Sequence, residues 1–400
     1  MMPSLHPFPA RMAPELALRE LRELPNGSTV LDPMSGSGTV LRQASSIGHT
    51  GIGFDVDPLA VLMSSVWTTP IVEVDARVVV LLRSVLQAAK ACRDDSIHLP
   101  WIDDDKETSD FTNYWFGQRQ RSQLRRLALS LCRLPVVGSS RTTRATNILR
   151  LALSKTIITK DRGASLARDV SHSRPHKVAT SSTFDVLEAF ERSVTSVLRI
   201  LRTSPPPGNV RVQLGDARSL GSLDNRSVDA VMTSPPYLNA IDYIRGHRLA
   251  LVWMGYRVAE LRRIRSGSIG AERGLGTDET STLFAEIEGA MMQPGSLSSR
   301  HAGMAARYAR DLYAVMSEIA RVLKRDGRVI LVVGDSCLKG TLVMNSGGVV
   351  RAAQMVGLCL DRNVSRNLPV RRRYLPLPAG NDAPLGRRMR TESILSFRFV

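Results

Sequence analysis

Cysteine is scarce in this 400-residue chain. Cys92, Cys132, Cys337 and Cys359 stand far apart with no C-x-x-C spacing, which argues against a zinc ribbon or a disulfide framework and leaves reduced, mostly buried thiols as the expectation. No apolar run approaches the roughly 18 residues of a membrane span. Met1 to Ala10 also lacks the basic start and apolar core of a secretory leader. A globular, cytoplasmic protein with no membrane partner is expected. Acids are under-represented: 37 Asp and Glu against 54 Lys and Arg give a net charge of +17 and a pI near 10.5. Such an excess favours a polyanionic partner through Coulomb attraction and counterion release. Fourteen of the basic residues lie between Gly117 and Lys177, among two acids, Asp161 and Asp169. A second cluster, Arg366, Arg371, Arg372, Arg373, Arg387, Arg388 and Arg390, follows near the C-terminus. Solvated helix faces are the plainer explanation of either cluster taken alone.

A hydrophobic content of 43% is enough for a sizeable core. Leu16, Leu18, Leu21 and Leu24 follow helical spacing, and Pro25-Asn26-Gly27 ends that helix with turn chemistry. Thr29 to Asp32 reads as a strand, a glycine-rich turn follows, and Val40 to Ile47 reads as a helix closed by Gly48. Gly51 to Asp55 is a second strand, and Pro58 to Val66 starts a helix with proline in its first turn. This alternation predicts an α/β fold with a doubly wound, mostly parallel sheet. From about Thr68 to Pro207 the pattern turns to helical segments between polar and basic stretches, as expected of an insertion. Strands resume at Val210 to Leu214, Val228 to Met232, Val329 to Val333 and Ser393 to Val400. A helix marked by Tyr308, Leu312, Val315, Ile319 and Leu323 is expected to end at Gly327. The chain thus divides at 1–66, 67–207 and 208–400. Residues 257–305, rich in Gly, Ser, Glu and Arg, read as a mobile loop or a second specificity element. No internal repeat is evident.

Two loops carry chemistry. Asp32-Pro33-Met34-Ser35-Gly36-Ser37-Gly38-Thr39 ends a strand in an acid and opens a helix through two glycines, so that backbone can approach a ligand closely. A phosphate loop requires G-K-[ST], which is absent, and a dinucleotide loop requires a third glycine where Leu41 stands. Asp55, at the end of the next strand, is placed to accept hydrogen bonds from both ribose hydroxyls of a nucleoside ligand. Asp57 is the fallback, and is the better N-cap for the helix beginning at Pro58. Asp216, after the strand 210–214, is placed to accept from an adenine amino group, with a plain turn aspartate as the alternative.

The second loop, Thr233-Ser234-Pro235-Pro236-Tyr237, also follows an apolar strand. An exocyclic amine on a nucleobase is a poor nucleophile because its lone pair is delocalised into the ring. Hydrogen bonds from the amine to the Ser234 hydroxyl oxygen and the Pro235 carbonyl would draw its protons into a tetrahedral arrangement and push the lone pair outward. Pro235 and Pro236 stiffen the loop, and Tyr237 offers a flat face for an extruded base. Standing alone, the motif would be read as a turn with Tyr237 as core filler. Attack at cytosine C5 needs a thiolate, commonly on a Pro-Cys dipeptide. Here Ala91, Leu131, Ser336 and Leu358 precede the four cysteines. The lack of H-x-E with P-C-x-x-C argues against zinc-dependent deamination, and no metal is expected.

These residues resemble the amino-directed DNA methyltransferases, which make N4-methylcytosine or N6-methyladenine. His6-Pro7-Phe8-Pro9-Ala10-Arg11-Met12-Ala13-Pro14-Glu15-Leu16 is similar to the family's N-terminal cofactor motif. By that resemblance Pro9 and Ala10 close over the methionine part of S-adenosyl-L-methionine. Asp32, Pro33, Ser35, Gly36, Gly38 and Thr39 match its glycine loop, Asp55 and Asp57 its ribose segment, and Asp216 and Ala217 its adenine-binding segment. Met232 to Tyr237 is similar to the catalytic motif of the N4-cytosine branch, whereas the adenine branch usually has Asp where Ser234 stands. The likeness covers about residues 6–66 and 210–400.

The resemblance implies a Rossmann-like methyltransferase fold with a mostly parallel seven-stranded sheet. It further implies transfer of methyl to cytosine N4 in duplex DNA by base flipping, with a restriction endonuclease system as a compatible partner. N6-adenine methylation, RNA base methylation and a non-catalytic nucleic-acid binder are the alternatives. Within the insertion, Arg168, His172, Arg174 and Lys177 are the expected contacts to phosphates or base edges. Asn113-Tyr114-Trp115-Phe116 is either an aromatic anchor for bases or a helix start packed on the core.

Overall fold

The computed structural model describes residues 5–8, 11–135, 140–160, 162–168, 170, 175–238, 242–271, 284–292, 299–338, 341–368 and 391–400. Pro9, Ala10, His172, Arg174 and the arginines between 371 and 390 lie outside the described residues. Seven strands form the main sheet: β1 (Thr29–Asp32), β2 (Thr50–Asp55), β3 (Val210–Leu214), β4 (Val228–Thr233), β5 (Leu323–Val333), β6 (Leu358–Asn367) and β7 (Thr391–Phe399). Their order across the sheet is β6-β7-β5-β4-β1-β2-β3. Every neighbouring pair from β5 to β3 is parallel, and β7 runs antiparallel between β5 and β6. The mostly parallel, seven-stranded α/β sheet expected from the sequence is therefore the one observed.

Helices α1 (Pro14–Leu21), α2 (Thr39–Ser46) and α3 (Pro58–Trp67) accompany the first two strands. Between α3 and β3 lie α4 (Asp75–Ala91), α5 (Pro100–Asp103), α6 (Lys106–Trp115), α7 (Gln118–Cys132), α8 (Arg141–Ile157) and α9 (Val186–Thr203). After β4 come α10 (Tyr243–Leu251), α11 (Val258–Gly267), α12 (Ala285–Met291), α13 (Ser299–Val322) and, between β5 and β6, α14 (Asn345–Met355).

Strand residues alternate between the two faces of the sheet, as the two-residue period requires. Val30, Ala230, Met232, Ile330, Val332 and Ile394 pack with α1 and α2. Leu31, Val231, Val329, Leu331 and Leu395 pack on the opposite face with Tyr308, Leu312 and Ile319 of α13 and Val349 of α14. The helices between α3 and β3 do not keep a core to themselves. They share one apolar cluster with Leu59 and Met63 of α3 and with Leu249, Trp253 and Leu261 after β4. Phe116 anchors that junction, edge-on to Trp253 at 5.2 Å between ring centres.

Three sequence expectations are corrected. Strand β5 begins at Leu323, where a helix end capped by Gly327 was expected; a Cβ on Gly327 would lie 2.9 Å from the Asp229 carbonyl, so strand-to-strand contact and not capping selects the glycine. Strand β6 was not anticipated, because an edge strand exposed along most of its length carries no alternating pattern. Of residues 257–305, expected as a loop, α11, α12 and the start of α13 are helical, with Val258, Leu261, Ile287 and Met291 buried. Polar composition hid those short amphipathic faces.

Candidate functional site

Strands β1 and β4 are parallel neighbours, with Val30 opposite Ala230 and Leu31 opposite Val231. To one side of this pair the sheet continues to β2, to the other side to β5, so their carboxyl ends open the crevice in which α/β sheets bind ligands. The loop beginning at Asp32 leaves β1 there, and the loop beginning at Ser234 leaves β4. The Asp32 carboxyl, 3% exposed, faces the side chain of Thr233, the residue before Ser234. Thr233 is fully buried. The two loops that the sequence placed about 200 residues apart therefore share one end of the sheet.

The first loop is tightly held. Gly36 and Gly38 have φ of +50° and +82°, and a Cβ on Gly38 would sit 2.8 Å from the Ser64 backbone, so α3 packs directly on the turn. The Ser64 hydroxyl donates to the Gly36 carbonyl at 2.8 Å, and the Ser35 N–H donates to the Phe54 carbonyl at 2.8 Å. Asp55 accepts from the Gly36 N–H at 2.8 Å through Oδ2 and from the Asp57 N–H at 2.9 Å through Oδ1. Burial raises the Asp55 carboxyl to about 7, with the neighbouring Asp57 charge adding to the shift. Asp32 is likewise raised to about 7 by burial, against hydrogen bonding that favours its ionised form. Pro33, Ser35 and Thr39 are buried within the same turn.

Asp57 caps α3 by accepting from the Leu59 N–H at 2.9 Å, and its second oxygen pairs with His247 Nδ1. Its carboxylate is thus taken up by the protein itself, in line with the capping alternative. Asp216 is engaged as well. Arg218 grips it through Nε at 3.0 Å and Nη2 at 2.6 Å, reaches Asp311 at 2.7 Å, and bonds the Gly267 carbonyl. Although Asp216 is partly buried, the Arg218 guanidinium and N–H hold its carboxyl below the usual range. Ala217 beside it is buried in the sheet core.

In the second loop the Ser234 hydroxyl donates to the Val332 carbonyl on β5 at 2.8 Å and lies 3.4 Å from the Tyr237 hydroxyl. Tyr308 of α13 donates to the Pro236 carbonyl at 2.9 Å. Leu238 is fixed at both backbone atoms, its N–H to Asn345 Oδ1 at 3.2 Å and its carbonyl to the Ser336 hydroxyl at 3.0 Å. Pro235 is buried; Tyr237 is half-buried, its ring against Leu368, and burial pushes its hydroxyl up to about 12.

Sequence reasoning missed the aromatic wall over the glycine loop. The Phe8 ring lies 3.3 Å from where a Gly36 Cβ would be and stacks on Tyr243 of α10 at 4.7 Å and 11°. His6 bonds the Ser154 hydroxyl of α8 at 2.8 Å. Phe8 stands within the N-terminal motif, but Tyr243 and His247 sit inside an ordinary-looking helix that gives no local signal.

The basic segment is less cationic in space than along the chain. Arg119 pairs with Asp185 at 2.9 Å, Arg125 with Asp103 at 2.7 Å, Arg126 with Asp94 at 2.8 Å and Arg144 with Glu73 at 3.0 Å. All four acids lie outside the stretch from Gly117 to Lys177. Arg168 and Lys177 are exposed on a short antiparallel ladder in which Arg168 opposes His176, and the Lys177 ammonium sits 4.6 Å over the ring of Tyr114. Tyr114 is 54% exposed whereas Phe116 is buried, so the aromatic run divides between surface and core.

The fold is α/β with a mostly parallel seven-stranded sheet, and both motif loops leave the carboxyl ends of two neighbouring parallel strands. The chain is 22% identical over 265 residues to the type II methyltransferase M.BsoBI of Geobacillus stearothermophilus, which takes in 62% of this chain and 51% of the relative. It therefore spans about half the length of the curated relative it matches. No family model matches the sequence. Among solved structures, a TehB-like S-adenosylmethionine-dependent methyltransferase from Corynebacterium glutamicum aligns at TM-score 0.31 and 9% identity, covering 98% of this chain and 89% of that one. A geranyl diphosphate methyltransferase complexed with S-adenosylmethionine aligns at TM-score 0.36 and 8% identity, covering 97% and 84%. A candidate DNA modification methylase from Thermus thermophilus aligns at TM-score 0.25 and 19% identity, covering 46% and 50%. Among the described residues no helix is long and apolar enough to cross a membrane.

Proposed function

We propose that this chain is a site-specific DNA methyltransferase that transfers methyl from S-adenosyl-L-methionine to the exocyclic N4 amine of cytosine, taken out of the duplex by base flipping. The observation that carries the proposal is the state of Ser234. Its hydroxyl proton is spent on the Val332 carbonyl, which leaves an oxygen lone pair, besides the one facing the Tyr237 hydroxyl, as an acceptor at the edge of the crevice shared with Asp32. An amine bonded to that oxygen and to the Pro235 carbonyl is localised as a nucleophile without any charged base in contact with it. Tyr308, holding the Pro236 carbonyl, keeps the loop from turning away.

S-adenosyl-L-methionine supplies an electrophilic methyl carbon on a sulfonium. The residues present fit such a cation: Asp32 and Asp55 are two buried carboxyls that burial raises to about 7 and that an adjoining positive charge would hold ionised. Asp55 would receive the ribose hydroxyls, with Gly36, Gly38 and the buried Pro33, Ser35 and Thr39 shaping the turn. Pro9 and Ala10 would cover the methionine end. Asp216 would serve the adenine amino group, with Ala217 under the ring and Arg218 fixing the carboxylate. The part played by Asp57 is to hold Asp55 in place. Residues 1–66 and 208–400 form the methyl-transfer unit in this reading, and 67–207 supplies nucleic-acid contacts through Arg168, His172, Arg174 and Lys177. The distant type II methyltransferase relative supports DNA as the substrate, and a restriction system as the partner is part of the proposal.

The test is incubation with duplex DNA and labelled donor, then digestion to nucleosides and mass detection. N4-methylcytosine is expected. N6-methyladenine would transfer the same chemistry to the other base, and label in RNA or protein but never in DNA would reject the proposal.

A further inference from the structure

We infer that His247 is a positioning residue that locks the acceptor half of the site to the donor half. The inference rests on the methyl-donor reading of the crevice. Helix α10 follows the acceptor loop along the chain, while Asp57 belongs to the turn between β2 and α3, 190 residues away in sequence. His247 and Asp57 meet with side chains 4% and 8% exposed, Nδ1 on Oδ2. From Asp57 a short relay leads into the donor turn. The Asp57 N–H holds Asp55 Oδ1 at 2.9 Å, and Asp55 Oδ2 holds the Gly36 N–H at 2.8 Å. Asp57 Oδ1 is already committed to the Leu59 N–H at 2.9 Å, so its other oxygen relies on the histidine.

A second contact runs beside the first. Tyr243, one helical turn before His247, stacks on Phe8, and Phe8 lies against Gly36. Helix α10 thus bears on the glycine loop twice, once through a buried ion-pair-like bond and once through stacked rings. Removing the histidine while leaving Asp57 would strand a carboxylate oxygen in a dry environment, and the cheapest relief is rotation of the Asp57 turn. That rotation moves Asp55 and Gly36 relative to Ser234, and misalignment on the ångström scale is enough to cost about a hundredfold in rate.

Asn and Gln separate positioning from packing. An Asn side chain brings its amide N–H close to the place of Nδ1, and Gln carries its amide toward the place of Nε2. The prediction is that His247→Asn binds S-adenosyl-L-methionine within about threefold of wild type, whereas His247→Gln binds it about tenfold more weakly and also loses kcat on DNA. Donor Kd is measured by calorimetry without nucleic acid, and kcat is normalised to sites titrated with donor. A structural role alone would lower the melting temperature and leave Kd and kcat per site unchanged. Equal behaviour of the two variants would overturn the inference, as would failure of the Gln variant to fold while Asn folds. A wild type that binds donor but methylates no nucleic acid would defeat the functional proposal instead, and the comparison of donor affinities would still stand.

Discussion

Lowering the pH from about 8 to about 6 should weaken donor binding about a hundredfold. Burial raises both Asp32 and Asp55 to about 7 in the free protein, outweighing the hydrogen bonds that each accepts. A sulfonium donor, and ribose hydroxyls that need an acceptor, both select the ionised carboxylates. For one group with a pKa of about 7, the free protein is about one-tenth protonated at pH 8 and about nine-tenths at pH 6, so affinity drops roughly tenfold per carboxylate. The two acids sense each other's charge, so protons leave the pair in steps. Asp55→Asn should bind more weakly at every pH and keep only about a tenfold dependence. Folding of the free chain has the opposite sign. A carboxyl raised from 3.8 to about 7 in the fold favours the folded state most below pH 4, and that contribution is lost as the pH rises through 7. Donor should therefore raise the melting temperature more at pH 8 than at pH 6. Calorimetric titration at constant ionic strength, in buffers of different ionisation enthalpy, measures both the affinity and the protons released. A wild-type affinity that stays flat across this range would refute the reasoning.

Further outcomes follow from individual contacts. Gly38→Ala combines left-handed strain of about 1–2 kcal/mol with a clash against the Ser64 backbone of about 1–3 kcal/mol, and should abolish donor binding. Gly48→Ala, at φ +90° with open space around it, should show the strain alone in urea denaturation; equal destabilisation by the two substitutions would contradict the packing of α3 on the turn. Ser234→Ala should lower kcat by roughly 10²–10³ with donor Kd unchanged, and an unaltered kcat would remove the hydroxyl from the reaction. Arg168→Ala and Lys177→Ala should weaken DNA binding and each reduce the slope of log affinity against log salt by about 0.9 for every phosphate no longer neutralised; an unchanged slope takes that ladder out of the interface.

Strands β1, β2 and β4 were legible because each is a largely buried run bounded by turn residues, and the two functional loops follow β1 and β4 directly; β3, at the edge opposite β6 and with no buried residue, was legible from its alternating valines. The same rule failed at the sheet edge, where β6 is exposed and carries polar residues, and at the β4–β5 contact, where Gly327 looked like a helix cap. Charge was legible in amount but not in effect. Arg119, Arg125, Arg126 and Arg144 meet Asp185, Asp103, Asp94 and Glu73 only after folding, and those acids fall outside the basic stretch. Asp216 offered no hint that Arg218 would grip it, since an Arg two residues on is equally at home in solvent.

By itself the sequence determined the alternation of strand and helix, the two glycines that let the chain turn sharply after Asp32, and the Ser-Pro-Pro-Tyr loop after a buried strand. These are local matters, decided by periodicity and by the backbone freedom of single residues. Tertiary structure decided which groups are spent and which stay available. Pairing of β1 with β4 brings Asp32 to Thr233, burial lifts two carboxyls to neutrality, the Val332 carbonyl takes the Ser234 proton, and His247 reaches Asp57. Each of these is a long-range contact in a desolvated place, where partner and dielectric are set by residues that no window along the chain contains.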